Sequence, residues 1–493
     1  MALEDNPNFQ AVVAHADAML EFGRPGLSKS GCPLFAGVVD GVSRTSSLSL
    51  IPPPPGVRMG DFNWAGNNLL HDIPFLEVLL QLAKLGRRES YSQAVEDIWT
   101  WYAAHAAHPE SGLFPWGEHA QWSFADNGAL PCGFSEGLRL FREGFIIHEH
   151  MRFVPDWFWE GLWKNNPEAV LRFARGLNNH IVDERSFEHN RHAPLTRSRW
   201  RDPAHPIGDK GHDHARHSGF FIFDTAFAYA KSSDRALLDW ARRKLAWHLD
   251  QRRPDGIVRG CVRSPNWENE GQHDSLALSC YDAALVLGRE TSEGREFMAH
   301  ALELFAARAR QKMAEVDEPE YPEGSWFLGY WRKAPTPGRG NLDALMARRS
   351  GHEAYTRRLL SRARRAAAGA PPPSASPVLT RAYAERLDLA LSAYDLSKER
   401  EHLDYALRVA DWARRDLFRN GLFMGVANML YGPPGNAEYY AHAGAQQEAA
   451  GRIGHPGYYF SGTGTPDLLR GLLRLALLQE GREDSLGLDL HYR

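Results

Sequence analysis

The 493-residue sequence lacks the features that would place it in several large classes of protein. It has only four cysteines, Cys32, Cys132, Cys261 and Cys280, far apart and without a Cys-x-x-Cys pair. Neither a disulfide framework nor a thiolate zinc site is expected from them. No apolar run is long enough to span a bilayer. The opening residues, Met1-Ala-Leu-Glu-Asp-Asn6, show neither the basic nor the apolar region of a signal peptide. These three absences together predict a protein of reducing, cytoplasmic surroundings, not associated with membrane. Neither sign of charge dominates: 57 basic against 61 acidic residues give −4, without the basic footprint that nucleic acid requires. The glycines of Gly457–Gly464 do not follow a strand, so a nucleotide-binding loop is not expected. Runs that alternate apolar and polar residues are scarce and short, which argues against a sheet-based fold.

Helical periodicity is what the sequence does contain. In 90–104, Val95, Ile98, Trp99 and Tyr102 fall at i, i+3, i+4 and i+7, one stripe of a helix. Leu237, Leu238, Ala241, Leu245 and Leu249 form a second stripe. The same phrase of polar turn, amphipathic helix and glycine stop recurs from Lys84 to Phe114, from Lys231 to Val258 and from Ser397 to Phe423. Another helix precedes each turn, as in 75–83 and 220–230. Each hairpin leaves an apolar face that only the next hairpin can cover, and closing the ring covers the last one. The expected fold is therefore all-α, an (α/α) barrel or toroid, as one domain over 1–493. Ile51-Pro-Pro-Pro-Pro-Gly56 reads as stiff and extended, and 366–378 as a flexible connector between helices of one repeat type.

The chemistry concentrates in 116–217, which holds nearly half of the 22 histidines. Trp116-Gly-Glu-His119 follows a helix stop and lies on a loop. His148-Glu149-His150, Glu188-His-Asn-Arg191-His192, His205, His212, His214 and Arg216-His217 follow. Imidazole and carboxylate together suit a divalent transition ion such as manganese, nickel or zinc. Read alone, His148-Glu149-His150 fits a solvated helix start, whose alternate residues do not share a face. The 15 tryptophans and 16 tyrosines exceed what a helical scaffold needs, and most serve to pack helices. Some suit sugar rings, whose apolar faces stack on aromatic planes; Trp116, Trp200, Tyr458 and Tyr459 are the candidates.

Trp116-Gly-Glu-His119, then Glu149, then Asn190-Arg191-His192 resemble the Trp-Gly-x-His, Glu, Asn-Arg-His pattern of polysaccharide lyase family 2, the (α/α) pectate lyases. The resemblance covers roughly 112–219. It implies a divalent metal, manganese first, held by His119, Glu149 and His192. It also implies Arg191 as the proton-abstracting base and an acidic oligo- or polysaccharide as substrate. Glu149 falls later after His119 than the family pattern has it, and His148 and His150 compete as ligands. Arg216-His217 is a second Arg-His pair that could serve in place of Arg191-His192.

Elimination across a uronate needs three things: a neutralised carboxylate, removal of the C5 proton, and a proton for the leaving oxygen on C4. A metal or cation cluster supplies the first, and a positioned base the second. Arginine is a difficult base because its pKa stays above about 12; His217 or His148 is easier on that ground. Three other functions remain open on such a ring. One is a glycoside hydrolase using Glu118, Glu268 or Glu270; the others are a sugar epimerase and a non-catalytic glycan-binding module.

Overall fold

A computed structural model describes residues 3–46, 63, 66–117, 119–132, 146–195, 213–262, 270–311, 339–374, 377–428 and 457–482. Within them run α1 Pro7–Phe22, a single turn α2 Leu27–Ser30, α3 Leu69–Lys84, α4 Glu89–His105, α5 Asp156–Asn165, α6 Pro167–Gly176, α7 Ala215–Ser232 and α8 Arg235–Asp250. They continue with α9 Glu270–Leu287, α10 Ser292–Arg310, α11 Arg339–Ser350, α12 Glu353–Ala368, α13 Thr380–Ser397, α14 Arg400–Leu417 and α15 Thr465–Gln479. The molecule is the expected (α/α) barrel.

The sequence separates inner from outer helices. In α7, Phe220, Phe221, Ile222, Phe223, Ala226 and Phe227 are buried in every direction, the mark of a helix with neighbours all round. Its partner α8 is one-sided. Leu238, Ala241, Leu245 and His248 are covered while Arg235 and Asp239 face out, and Asp234 caps the start by accepting from the Ala236 N–H. Each inner helix packs on the next in the order α7, α9, α11, α13, α15, α3. The short hairpin α5–α6 bridges the remaining interval, α5 against α4 and α6 against α7. Helix α1 covers the outside of α15, and the Asn6 side chain donates to Gln479 Oε1 at 2.9 Å across that seam.

His148 and Glu149 belong to a strand, Ile147–Glu149, and not to a helix start. It is one of several two- and three-stranded ladders built from the loops. Thr465 is the first residue of α15, and Gly464, at φ 89°, takes the cap position. At the two ends of the stretch 366–378, α12 runs to Ala368 and Val378–Leu379 pairs antiparallel with Val426–Ala427. Among the described residues no helix is long and apolar enough to cross a membrane.

Candidate metal and active site

Two short strands build the centre of the site. Ile147–Glu149 runs antiparallel to His192–Pro194 with Glu149 directly opposite His192, so the two side chains are cross-strand neighbours. His119 arrives from the loop after α4, where its carbonyl accepts from the Cys132 N–H at 2.9 Å. One ligand atom from each of His119, Glu149 and His192 lies within 4.8 Å of the others. All three residues are buried, at 4%, 0% and 7% exposure. Glu149 Oε2 stands 3.7 Å from His192 Nε2. Two ligands at about 2.1 Å on a tetrahedral ion are roughly 3.4 Å apart, so the donor set and spacing fit a divalent transition metal.

The other oxygen of Glu149 carries a different load. Oε1 faces the Arg191 guanidinium, which ion-pairs with it, and His217 Nε2 at 3.0 Å. Burial holds His217 neutral well below the usual histidine range, and the neighbouring Arg216, His214 and Arg191 push the same way. A neutral His217 that donates from Nε2 to Glu149 keeps Nδ1 as a lone-pair acceptor. The site therefore combines a carboxylate shared between a candidate metal position and a guanidinium with a neutral imidazole beside both.

Local sequence explains how these groups are held. Asn190 Oδ1 accepts from the His192 N–H at 3.0 Å, an Asx turn that leaves Arg191 at its tip. Gly117 adopts φ 114° directly against the Glu149 backbone, and a Cβ there would overlap the Glu149 carbonyl. Asn68, at the cap position of α3, makes no capping bond. Its side-chain amide instead pairs with Gly117, donating to the carbonyl and accepting from the N–H at 3.3 Å. We expect Gly117→Ala to shift Glu149 and weaken Mn2+ binding by about tenfold or more, the scale of losing a support behind a metal ligand. Titration with Mn2+, beside circular dichroism to confirm the fold, checks this; wild-type affinity would show that the close approach does not matter.

The structure separates the other candidates. Side chains alternate along a strand, so His148 points to the opposite face from Glu149. There it accepts from Trp116 Nε1 at 2.9 Å and meets His180 Nε2 at 2.8 Å through Nδ1. It cannot reach a sugar from that position. His150 Nδ1 lies 2.9 Å from Asp224 Oδ2 and is not a competing ligand. Trp116 is fully covered, stacked on Tyr102 and edged by Phe114, Trp159 and Phe173, which leaves no ring face for a sugar. Tyr458 and Tyr459 are buried in a strand paired with Val38–Asp40, with Tyr459 packed on His15. Aromatic residues bury large apolar areas, and these three do so inside the core.

Arg216 sits in the first turn of α7 beside His217, its backbone N–H on Gln272 Oε1 at 2.9 Å. Trp200, His205, His212, Glu118 and Glu268 lie outside the described residues. A second grouping joins the exposed Glu399 and Glu401, both bonded to Arg364, with the buried His402. Sequence reasoning missed Asn68 and His180. The Gly-Asn-Asn before a helix was a signal for the first; a lone histidine ending a helix gave none for the second.

No family model matches the chain. Among solved structures, it is similar to the α-1,2-mannosidase from Trichoderma reesei at 10% identity and TM-score 0.47, over 95% of this chain and 94% of that one. It is also similar to cellobiose 2-epimerase from Bacillus thermoamylovorans at 11% identity and TM-score 0.35, over 64% and 83%. The unsaturated glucuronyl hydrolase of Bacillus sp. GL1 aligns at 16% identity and TM-score 0.32, over 65% and 89%. All three are enzymes that process carbohydrate.

Proposed function

We propose that this chain is a lyase that cleaves a uronate-containing oligo- or polysaccharide by metal-assisted β-elimination. The observation that carries the reading is the convergence of His119, Glu149 and His192, with Arg191 and His217 on the second oxygen of Glu149. His119, Glu149 and His192 would hold the metal, manganese by the lyase resemblance. When bound, it neutralises the substrate carboxylate and acidifies the C5 proton.

The protein's own groups do the rest. Arg216, with its fork of donors, grips the anionic substrate from the first turn of α7. Arg191, in its neutral guanidine form, takes the C5 proton and becomes the guanidinium that ion-pairs with Glu149. The electron pair of the C5–H bond forms the C4–C5 double bond as the C4–O bond breaks. The leaving oxygen then takes a proton from the Arg191 guanidinium, which returns to its neutral form. His217, neutral and within reach of Glu149, holds that carboxylate in place and is the alternative acceptor.

Incubation with a panel of uronate glycans and Mn2+, followed in the ultraviolet, tests the reading directly. Appearance of the unsaturated-uronate chromophore is the expected result. New reducing ends without the chromophore would make the protein a hydrolase, and an inverted sugar without cleavage an epimerase.

A further inference from the structure

The loop that presents Arg191 and His192 is fixed from behind by a line of hydrogen bonds that can run in one direction only. It starts at Trp116 Nε1, which reaches His148 Nε2 at 2.9 Å. His148 Nδ1 then meets His180 Nε2 at 2.8 Å, and His180 Nδ1 meets the Asn190 carbonyl at 2.8 Å. An indole N–H can only donate and a backbone carbonyl can only accept. Each imidazole between them must therefore accept on Nε2 and donate from Nδ1. No other placement of the protons satisfies all three bonds.

The Asn190 N–H returns to the His180 carbonyl at 2.8 Å, so residue 180 grips residue 190 through both side chain and backbone. Asn190 in turn holds the His192 N–H through its own side chain. All members of the line are fully buried. In such surroundings an unmet N–H or carbonyl has no water to replace its lost partner, so the line resists reorientation.

We infer that His180, acting through His148 and Trp116, is a positioning residue that sets the geometry of Asn190-Arg191-His192. His148 is thereby a support and not a base. The inference rests on the reading of Arg191 and His192 as site groups, and it predicates a definite state of two rings that can be observed without turnover. Partners behind metal-ligating histidines commonly matter tenfold to a hundredfold in affinity or activity, about the scale expected here.

Ring-nitrogen NMR on 15N-histidine protein tests the first part: His148 and His180 should both show the neutral Nδ1–H tautomer. An Nε2–H tautomer or an imidazolium at either ring would overturn the inference. Mn2+ titration tests the second part. We expect His180→Leu to weaken binding about tenfold or more, and His180→Gln, which keeps one acceptor and one donor, to restore much of it. Equal affinity in wild type and a folded His180→Leu would overturn it. Should the leucine variant not fold, His180→Met, closer in volume and equally without an N–H, takes its place.

If the wild type binds no Mn2+ at all, the metal reading falls by itself. The inference is then decided by amide exchange at 190–192. Faster exchange in His180→Leu with recovery in His180→Gln supports it, and unchanged exchange overturns it.

Discussion

His119→Ala is expected to abolish stoichiometric Mn2+ binding and to lower turnover of a uronate glycan by more than about 100-fold, beyond what losing a supporting partner costs. The reason lies in how His119 is held. Its backbone carbonyl is bonded to the Cys132 N–H and starts a small ladder, so removing the imidazole leaves the loop anchored. What disappears is one of three donor atoms around the candidate ion position. Helical circular dichroism and thermal midpoint should stay close to wild type, while titration with Mn2+ followed by electron paramagnetic resonance should show free ion only. Full activity after exhaustive chelation of the wild type would sink the metal reading and leave Arg191, Arg216 and the histidines to neutralise the substrate.

The second large effect separates the two arginines. A guanidinium that only grips the substrate carboxylate contributes to ground state and transition state alike, so its loss raises KM. A group that takes the C5 proton acts in the transition state, so its loss lowers kcat. We expect Arg191→Ala and Arg191→Lys both to lower kcat by about a thousandfold, within the usual range for a lost acid–base group, and Arg216→Ala chiefly to raise KM. The lysine variant is the sharper probe because Arg191 also ion-pairs with Glu149. If lysine restores turnover, charge beside Glu149 is all that position supplies. The proton then goes to His217, whose Nε2 is 3.0 Å from the same carboxylate. Steady-state kinetics on the three variants decides between these outcomes.

The fold was legible because helical hairpins declare themselves locally. The stripe at Val95, Ile98 and Tyr102 is buried on α4, and the hairpin ends near Lys84 and Lys231 fall where α3 and α7 stop. The residues of the site were legible as types, since Trp-Gly-x-His and Asn-Arg-His need no structure to be seen. Their orientation was not. Whether His148, Glu149 or His150 faces the site depends on a three-residue strand, too short for any period to register, and on a partner strand 43 residues further on that sets its face. Aromatic residues misled for a related reason: Trp116, Tyr458 and Tyr459 sit on loops in the sequence, yet tertiary packing closes over all three. Asn68 is the opposite case. Its position predicts a helix cap, but its amide is drawn away to Gly117, a preference visible only once the two loops meet.

The seam between α1 and α15 bears on how the molecule comes to be folded. Asn6 and Gln479 touch across it although 473 residues separate them. Most hairpins can form from neighbours in sequence, but this contact closes a very long loop, and the entropy of that closure has to be met before the contact returns anything. During synthesis the apolar flank of α3 therefore waits for α15 to emerge. Until then the ring is an open arc with exposed hydrophobic surface, and such intermediates aggregate readily. Refolding should accordingly slow and its yield fall at high protein concentration, even though each helical pair is a fast local structure.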